Sequence, residues 1–276
     1  MTRLNFRLFP ALIALALAAS ACDVNIGEHG LSMGLSAGKA QNEWTKTYTV
    51  SPGGRLEIVN INGVINAAPA TGGQIEVRAE RIAKGSNDEA AQELLKQIEI
   101  VETASADLVR IETKAPRQSF GRSGSEVRYW VKVPAGLAVN FETVNGGVRL
   151  ENLDGQVVAS TTNGGVKGSG LKGQVKASTT NGGVDIAMSE VTGEIDLDTT
   201  NGGIRLTLPR TTRAHVEARC TNGGVSIDDS FEGYESGEKS RRRASATLNG
   251  GGARISPEAA NGGVRSSSPR ADARTS

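Results

Sequence analysis

The chain has 276 residues, with 31 Lys and Arg against 30 Asp and Glu, and only two Cys and two His. This near-neutral balance excludes a strongly basic nucleic-acid binder, and so few soft ligands exclude a Cys/His zinc cluster. Gly contributes 35 residues and aromatics only 4%, a composition suited to thin, repetitive β architecture rather than a thick-cored globule.

Residues 1–21 read as an export signal. Arg3 and Arg7 precede a short apolar stretch, Ala11 to Ala19, which is too short to span a bilayer. Ala19-Ser20-Ala21-Cys22 fits ordinary signal-peptidase cleavage. It also resembles the bacterial lipobox, in which Cys22 becomes the lipidated N-terminus and attaches the protein to a membrane. Without Arg3 and Arg7 the chain holds 29 basic and 30 acidic residues. Residues 22–43 contain four Gly and no periodicity, as expected of a flexible tether carrying the anchored Cys. His29 lies there without a partner.

The next stretch predicts strands at Trp44–Val50, Arg55–Ile61, Gln74–Ala83, Ile98–Thr103, Asp107–Lys114 and Glu126–Val133. One short helix is expected between them. Ser86-Asn87-Asp88-Glu89 has the form of a capping box, and Ala90, Ala91, Leu94, Leu95 and Ile98 make an apolar stripe. Such a helix would pack on neighbouring strands or cover an end of the repeat.

A repeat fills residues 139–264. Asn-Gly-Gly begins at Asn145, Asn163, Asn181, Asn201, Asn222, Asn249 and Asn261, at spacings of 18, 18, 20, 21, 27 and 12 residues. Alternating small apolar residues flank each turn, as in Val157-x-Ala159-x-Thr161 before one and Val184-x-Ile186 after another. This pattern predicts short half-buried strands. Two all-β architectures accommodate it: a right-handed parallel β-solenoid, or β-helix, with one coil per unit, and an antiparallel β meander. Recurrence of the same residue type at Asn163, Asn181 and Asn201, and at Thr161, Thr179 and Thr199, favours the solenoid. There, like residues sit about 4.8 Å apart and can bond from coil to coil. The expected stacking follows chain order. Phe231 to Leu248 reads as an insertion loop carrying Arg241, Arg242 and Arg243, a candidate patch for an anionic partner. Residues 265–276 are expected to be disordered.

The exported N-terminus, the early Asn62-Gly63-Val64, the Val133-Pro134 step and the stacked Thr-x-Asn-Gly-Gly-Val units resemble the bacterial putative-adhesin domain family, a domain of unknown function with a β-solenoid fold. The resemblance spans residues 44–264. It implies a surface-binding module and supplies no catalytic residue.

Other chemistry is weakly supported. Gly168-Ser169-Gly170-Leu171-Lys172-Gly173 has the G-x-G-x-x-G form but no helix follows it. A calcium roll needs an Asp in every coil, and only Asp185 stands directly after Asn-Gly-Gly-Val. Asp196 with Asp198, or Asp228 with Asp229, could form a carboxylate pair as in polysaccharide-cleaving β-helices, but neither has an acid–base partner in the pattern. His215 should face outward. Cys220 replaces Thr in the inward column and should be a buried small residue; a Cys22–Cys220 disulfide remains an alternative. The expected role is therefore non-enzymatic binding in the cell envelope, without a cofactor, metal or nucleic acid. Its partner would be an envelope polymer, a protein or a cell-surface ligand. A polysaccharide-active enzyme and an envelope-stress or assembly accessory are the alternatives.

Overall fold

The computed structural model describes residues 38–116 and 124–269. The N-terminal part contains β1 (Gly38–Tyr48), β2 (Arg55–Asn62), β3 (Ile65–Pro69), β4 (Ile75–Gly85), α1 (Asp88–Lys96), β5 (Glu99–Ala104), β6 (Leu108–Lys114) and β7 (Gly124–Val133). Helix α1 is capped by Asn87, whose side chain accepts from the Ala90 N–H at 2.8 Å. The cap is thus one residue later than a Ser86–Glu89 box would place it. Ala91, Leu95 and Ile98 are buried, and the helix packs against β1 and β4. The expected tether ends earlier than residue 43, because Gly38 to Tyr48 pair along their whole length with β4. Gly38 and Ala40 are buried there, so small residues rather than a hydrophobic alternation mark this strand.

The repeat follows as β8 (Ala138–Asn145), β9 (Val148–Glu151), β10 (Val157–Asn163), β11 (Val166–Lys172), β12 (Val175–Asn181), β13 (Val184–Glu190), β14 (Ile195–Asn201) and β15 (Ile204–Thr207). Even-numbered strands of this series stack in parallel in one sheet and odd-numbered strands in the other, with like residues in register. It is a parallel solenoid and not a meander. Each coil runs along one sheet, turns at Asn-Gly-Gly and returns along the other. The interior is built from columns: Val139, Val157, Val175 and Ile195 from one sheet, Val148, Val166, Val184 and Ile204 from the other, all buried. Columns of β-branched side chains one strand spacing apart bury apolar area continuously along the stack, which no single coil could do.

The chain closes with β16 (Ala214–Asn222), β17 (Val225–Ile227), β18 (Tyr234–Lys239), β19 (Arg243–Leu248), β20 (Ala253–Asn261) and β21 (Val264–Ser267). Their order departs from simple succession. The two sheets run β1-β4-β7-β3-β9-β11-β13-β15-β21-β17 and β18-β19-β16-β20-β14-β12-β10-β8-β2-β6-β5. The last segment, β20 and β21, stacks on β14 and β15, while β16 and β17 lie outside it. Residues 208–252 are therefore an excursion between two neighbouring coils, and they form a terminal cap. Phe231 to Leu248 is not a loop: β18 and β19 make an antiparallel hairpin that continues the sheet beyond β16. Nor is the chain irregular from residue 265, since Arg265 to Ser267 complete β21 and Ser266 is fully buried.

The joint between cap and stack is interrupted at one point. Pro257 is buried in the middle of β20 and has no N–H to donate. Pairing of β20 with β14 is continuous over Ile195 to Thr199. Pairing with β16 passes from Val216↔Ile255 directly to Arg219↔Glu258, skipping the proline.

Candidate binding faces of the solenoid

The Asn-Gly-Gly corner is a ladder of two kinds of side-chain bond. The Asn163 amide donates to Asn145 Oδ1 at 2.8 Å, Asn181 to Asn163 at 2.9 Å and Asn201 to Asn181 at 2.9 Å. Asn261 comes next, donating to Asn201 at 3.0 Å, and Asn222 donates to Asn261 at 2.9 Å. Asn145 donates to Asn62 at 2.7 Å, so the early Asn62-Gly63-Val64 is the first rung. Beneath the amides the Thr161, Thr179 and Thr199 hydroxyls each donate to the first corner Gly carbonyl of the preceding coil, at 2.8, 2.8 and 2.9 Å. That Gly is required by close approach: a Cβ on Gly182 would lie 1.9 Å from the Gly164 carbonyl oxygen. Asn249 is not a rung. Its φ is 49°, and its amide donates to the Arg210 and Thr212 carbonyls at the crossing between cap and last coil.

Polar residues between the inward columns form two outer faces of different charge. On the sheet containing β9, β11, β13, β15 and β21, Arg149, Lys167, Asp185, Arg205 and Arg265 occupy successive rungs. Arg205 reaches Asp185 at 3.1 Å. The permuted order places Arg265 directly beside Arg205, so the sign alternation of Lys167, Asp185 and Arg205 gives way to adjacent cations. A groove of about 550 Å³ runs beside this row, floored by the corner glycines Gly165, Gly183, Gly203 and Gly263. On the opposite sheet, Glu142, Ser160, Ser178, Asp198 and Glu258 share one row. Burial, reinforced by Asp196 and Glu258, holds the Asp198 carboxyl above the usual carboxylate range. Asp196 points to the same face and pairs with Lys176 at 3.3 Å. Thus Asp196 and Asp198 do share a face, as their i, i+2 spacing requires, but an ion pair and a like-charge row surround them.

The remaining candidates are dispersed. Asp228 accepts from the Ser230 N–H at 3.0 Å in the bend after β17. His215 is exposed, with Nδ1 3.3 Å from the Thr247 hydroxyl oxygen. Cys220 is buried in the inward column with a free thiol. Gly168 to Gly173 lie at β11 and its exit, and the Leu171 side chain fills the space beside Gly168. Arg241 and Arg242 sit exposed at the β18–β19 turn, and Arg243 opens β19 opposite Arg219. Cys22 lies outside the described residues. Among the described residues no group of three or more His, Cys, Asp and Glu could hold a metal ion.

Sequence reasoning missed one site. The Arg78 guanidinium stacks 3.9 Å from the Trp130 ring centroid, beside Asn66 and Arg149, in a second groove of about 540 Å³. Arg78 and Trp130 face each other across antiparallel β4 and β7, a pairing that period-2 alternation within either strand cannot reveal.

The fold and its corner ladder define a repetitive all-β module with a spliced-in cap. Residues 95–265 match the sequence profile of the Toastrack DUF4097 family, and the chain belongs to that family. No curated protein matches it. The chain is similar to a putative cell adhesion protein from Clostridium sporogenes ATCC 15579, at 12% identity and a TM-score of 0.50, over 83% of this chain and 100% of that one. It is also similar to a putative adhesin from Bacteroides fragilis NCTC 9343, at 9% identity and a TM-score of 0.28, over 83% and 97% of the two chains. A putative adhesin from Parabacteroides merdae ATCC 43184 aligns at 12% identity and a TM-score of 0.23, over 81% and 95%.

Proposed function

We propose that this protein is a non-enzymatic binding module of the cell envelope, exported by residues 1–21 and anchored to a membrane through lipidated Cys22. The chain between Cys22 and Gly38 would link the anchor to the solenoid. The observation that carries the binding role is the pair of regular outer faces, on which charged side chains recur at one strand spacing on a backbone locked by the corner ladder. A preorganised row of this kind engages an extended partner without ordering its own side-chain framework from scratch. The description of the Clostridium sporogenes protein as a putative cell adhesion protein accords with such a role.

Two measurements test the proposal. Intact mass of the mature protein should show a diacylglyceryl group on Cys22; a free, unmodified Cys22 amine removes the anchor. The purified mature protein should bind isolated envelope material and leave it chemically unaltered. Release of soluble sugars would instead establish the polysaccharide-active alternative, whereas capture confined to one envelope protein would establish an assembly or stress-response role.

A further inference from the structure

The near-neutral net charge conceals an uneven distribution. Arg149, Lys167, Arg205 and Arg265 stand in one exposed row with a single carboxylate, Asp185, among them. From Arg149 to Arg265 is four strand steps, about 19 Å at about 4.8 Å per step. Arg149, Lys167 and Arg265 have no salt-bridge partner among the described residues, and only Arg205 is engaged by Asp185.

The groove beside this row is open because its floor is backbone. The second Gly of each corner occupies it, and each carbonyl there accepts from the Val or Ile N–H of a neighbouring coil: Val166 to Gly183, Val184 to Gly203, Ile204 to Gly263, Val264 to Gly224. The series does not stop at the last glycine. The Val225 N–H donates to the Arg241 carbonyl at 3.1 Å, and its chain neighbours Gly224 and Ser226 line the groove. The Arg241-Arg242 turn of the cap therefore lies next to the Gly224–Ser226 end of the groove that Lys167, Arg205 and Arg265 flank.

We infer that this groove binds an extended anionic polysaccharide laid across the strands, its carboxylate groups meeting Lys167, Arg205, Arg265 and the Arg241-Arg242 turn in succession. This deepens the binding role proposed above. A single file of cations beside a narrow channel suits a chain better than a plane of lipid headgroups. Among the described residues both exposed large apolar side chains, Val101 and Val144, belong to the opposite sheet, so no described residue gives this face an apolar wedge for a bilayer. Nor does the groove offer the aromatic platforms on which nucleic-acid bases stack.

The test uses the mature protein with polygalacturonate as the anionic chain, dextran as the neutral one and phosphatidylglycerol vesicles as the lipid surface. Polygalacturonate should bind and dextran should not, and binding should vanish near about 1 M salt, where the Debye length is about 3 Å. Lys167→Ser with Arg265→Ser should weaken binding by about tenfold, equivalent to about 1.4 kcal/mol. Asp185→Asn should strengthen it, by removing the one competing carboxylate and releasing Arg205. Lys176→Ser, on the opposite sheet, should change nothing, and thermal unfolding of each variant confirms that the fold persists. The inference is overturned if Lys176→Ser weakens binding as much as the double variant, if only vesicles bind, or if no polyanion binds the folded protein. Binding of envelope material that survives the double variant would retain the broader binding role and reject this groove.

Discussion

Replacing Asn181 by Ala isolates the contribution of one ladder rung. Asn181 donates one amide bond to Asn163 at 2.9 Å and accepts another from Asn201 at 2.9 Å. Its φ is not among the positive values, so Ala can occupy the same backbone without strain. An intramolecular hydrogen bond contributes about 0.5–1.5 kcal/mol net. The rung is exposed, so water can replace part of each lost bond, and a total near 1–2 kcal/mol is expected. Asn222 is the internal control. It donates to Asn261 at 2.9 Å and no further ladder amide donates to it, so Asn222→Ala should cost about half as much. Asn181→Asp keeps the acceptor for Asn201 but sets a charged acceptor against Asn163 Oδ1, and it should cost at least as much as Ala. Urea unfolding with an unchanged m-value measures all three. Equal losses for Asn181→Ala and Asn222→Ala, or no loss for either, would refute a ladder that stabilises by paired amides.

Three further outcomes follow from the same geometry. Gly182→Ala places a Cβ 1.9 Å from the Gly164 carbonyl oxygen and should destabilise by more than Asn181→Ala, at least about 3 kcal/mol, because backbone must separate from backbone; a melting temperature near wild type would show that the coils can part without penalty. Asp198 has a folded pKa raised by burial, so the folded state holds its proton more tightly than the unfolded chain, and stability falls as pH rises from the ordinary carboxylate range through the raised value. Asp198→Asn should therefore raise the melting temperature at neutral pH and lose that advantage at acid pH; an advantage independent of pH would assign it to something other than charge. Ending the chain after Asn249 removes the only coil that joins β16 and β17 to the stack, and hydrogen exchange should then find residues 214–248 unprotected while β10 and β12 stay protected.

Much of this architecture is legible in the residues. Period-2 alternation located β10 to β15, and like residues at Asn163, Asn181 and Asn201 chose parallel stacking, because only coil-over-coil contact rewards identity. The strand β3 (Ile65–Pro69) was hidden by its composition, with Ala at two of its five positions and Pro at its end. The stacking order of the last two coils was hidden for another reason. Asn222 and Asn261 offer the same corner to Asn201, and spacing along the chain does not say which arrives first. Pro257 was the available signal, since a residue without an N–H prefers a strand side where a rung can be omitted. The charged faces shared that limit: each column could be read within its strand, but Arg265 became a neighbour of Arg205 only once the order of coils was known.

The splice that inserts residues 208–252 between two neighbouring coils has a consequence for how such a molecule can change size. Both extremities are sealed by elements that never interrupt the middle, so a tandem duplication of one internal unit, such as residues 157–174, would meet the same corner above and below. Growth by insertion of whole modules would leave each terminus undisturbed and extend the charged rows by a further step, making reach a quantity that gene duplication can adjust in fixed increments.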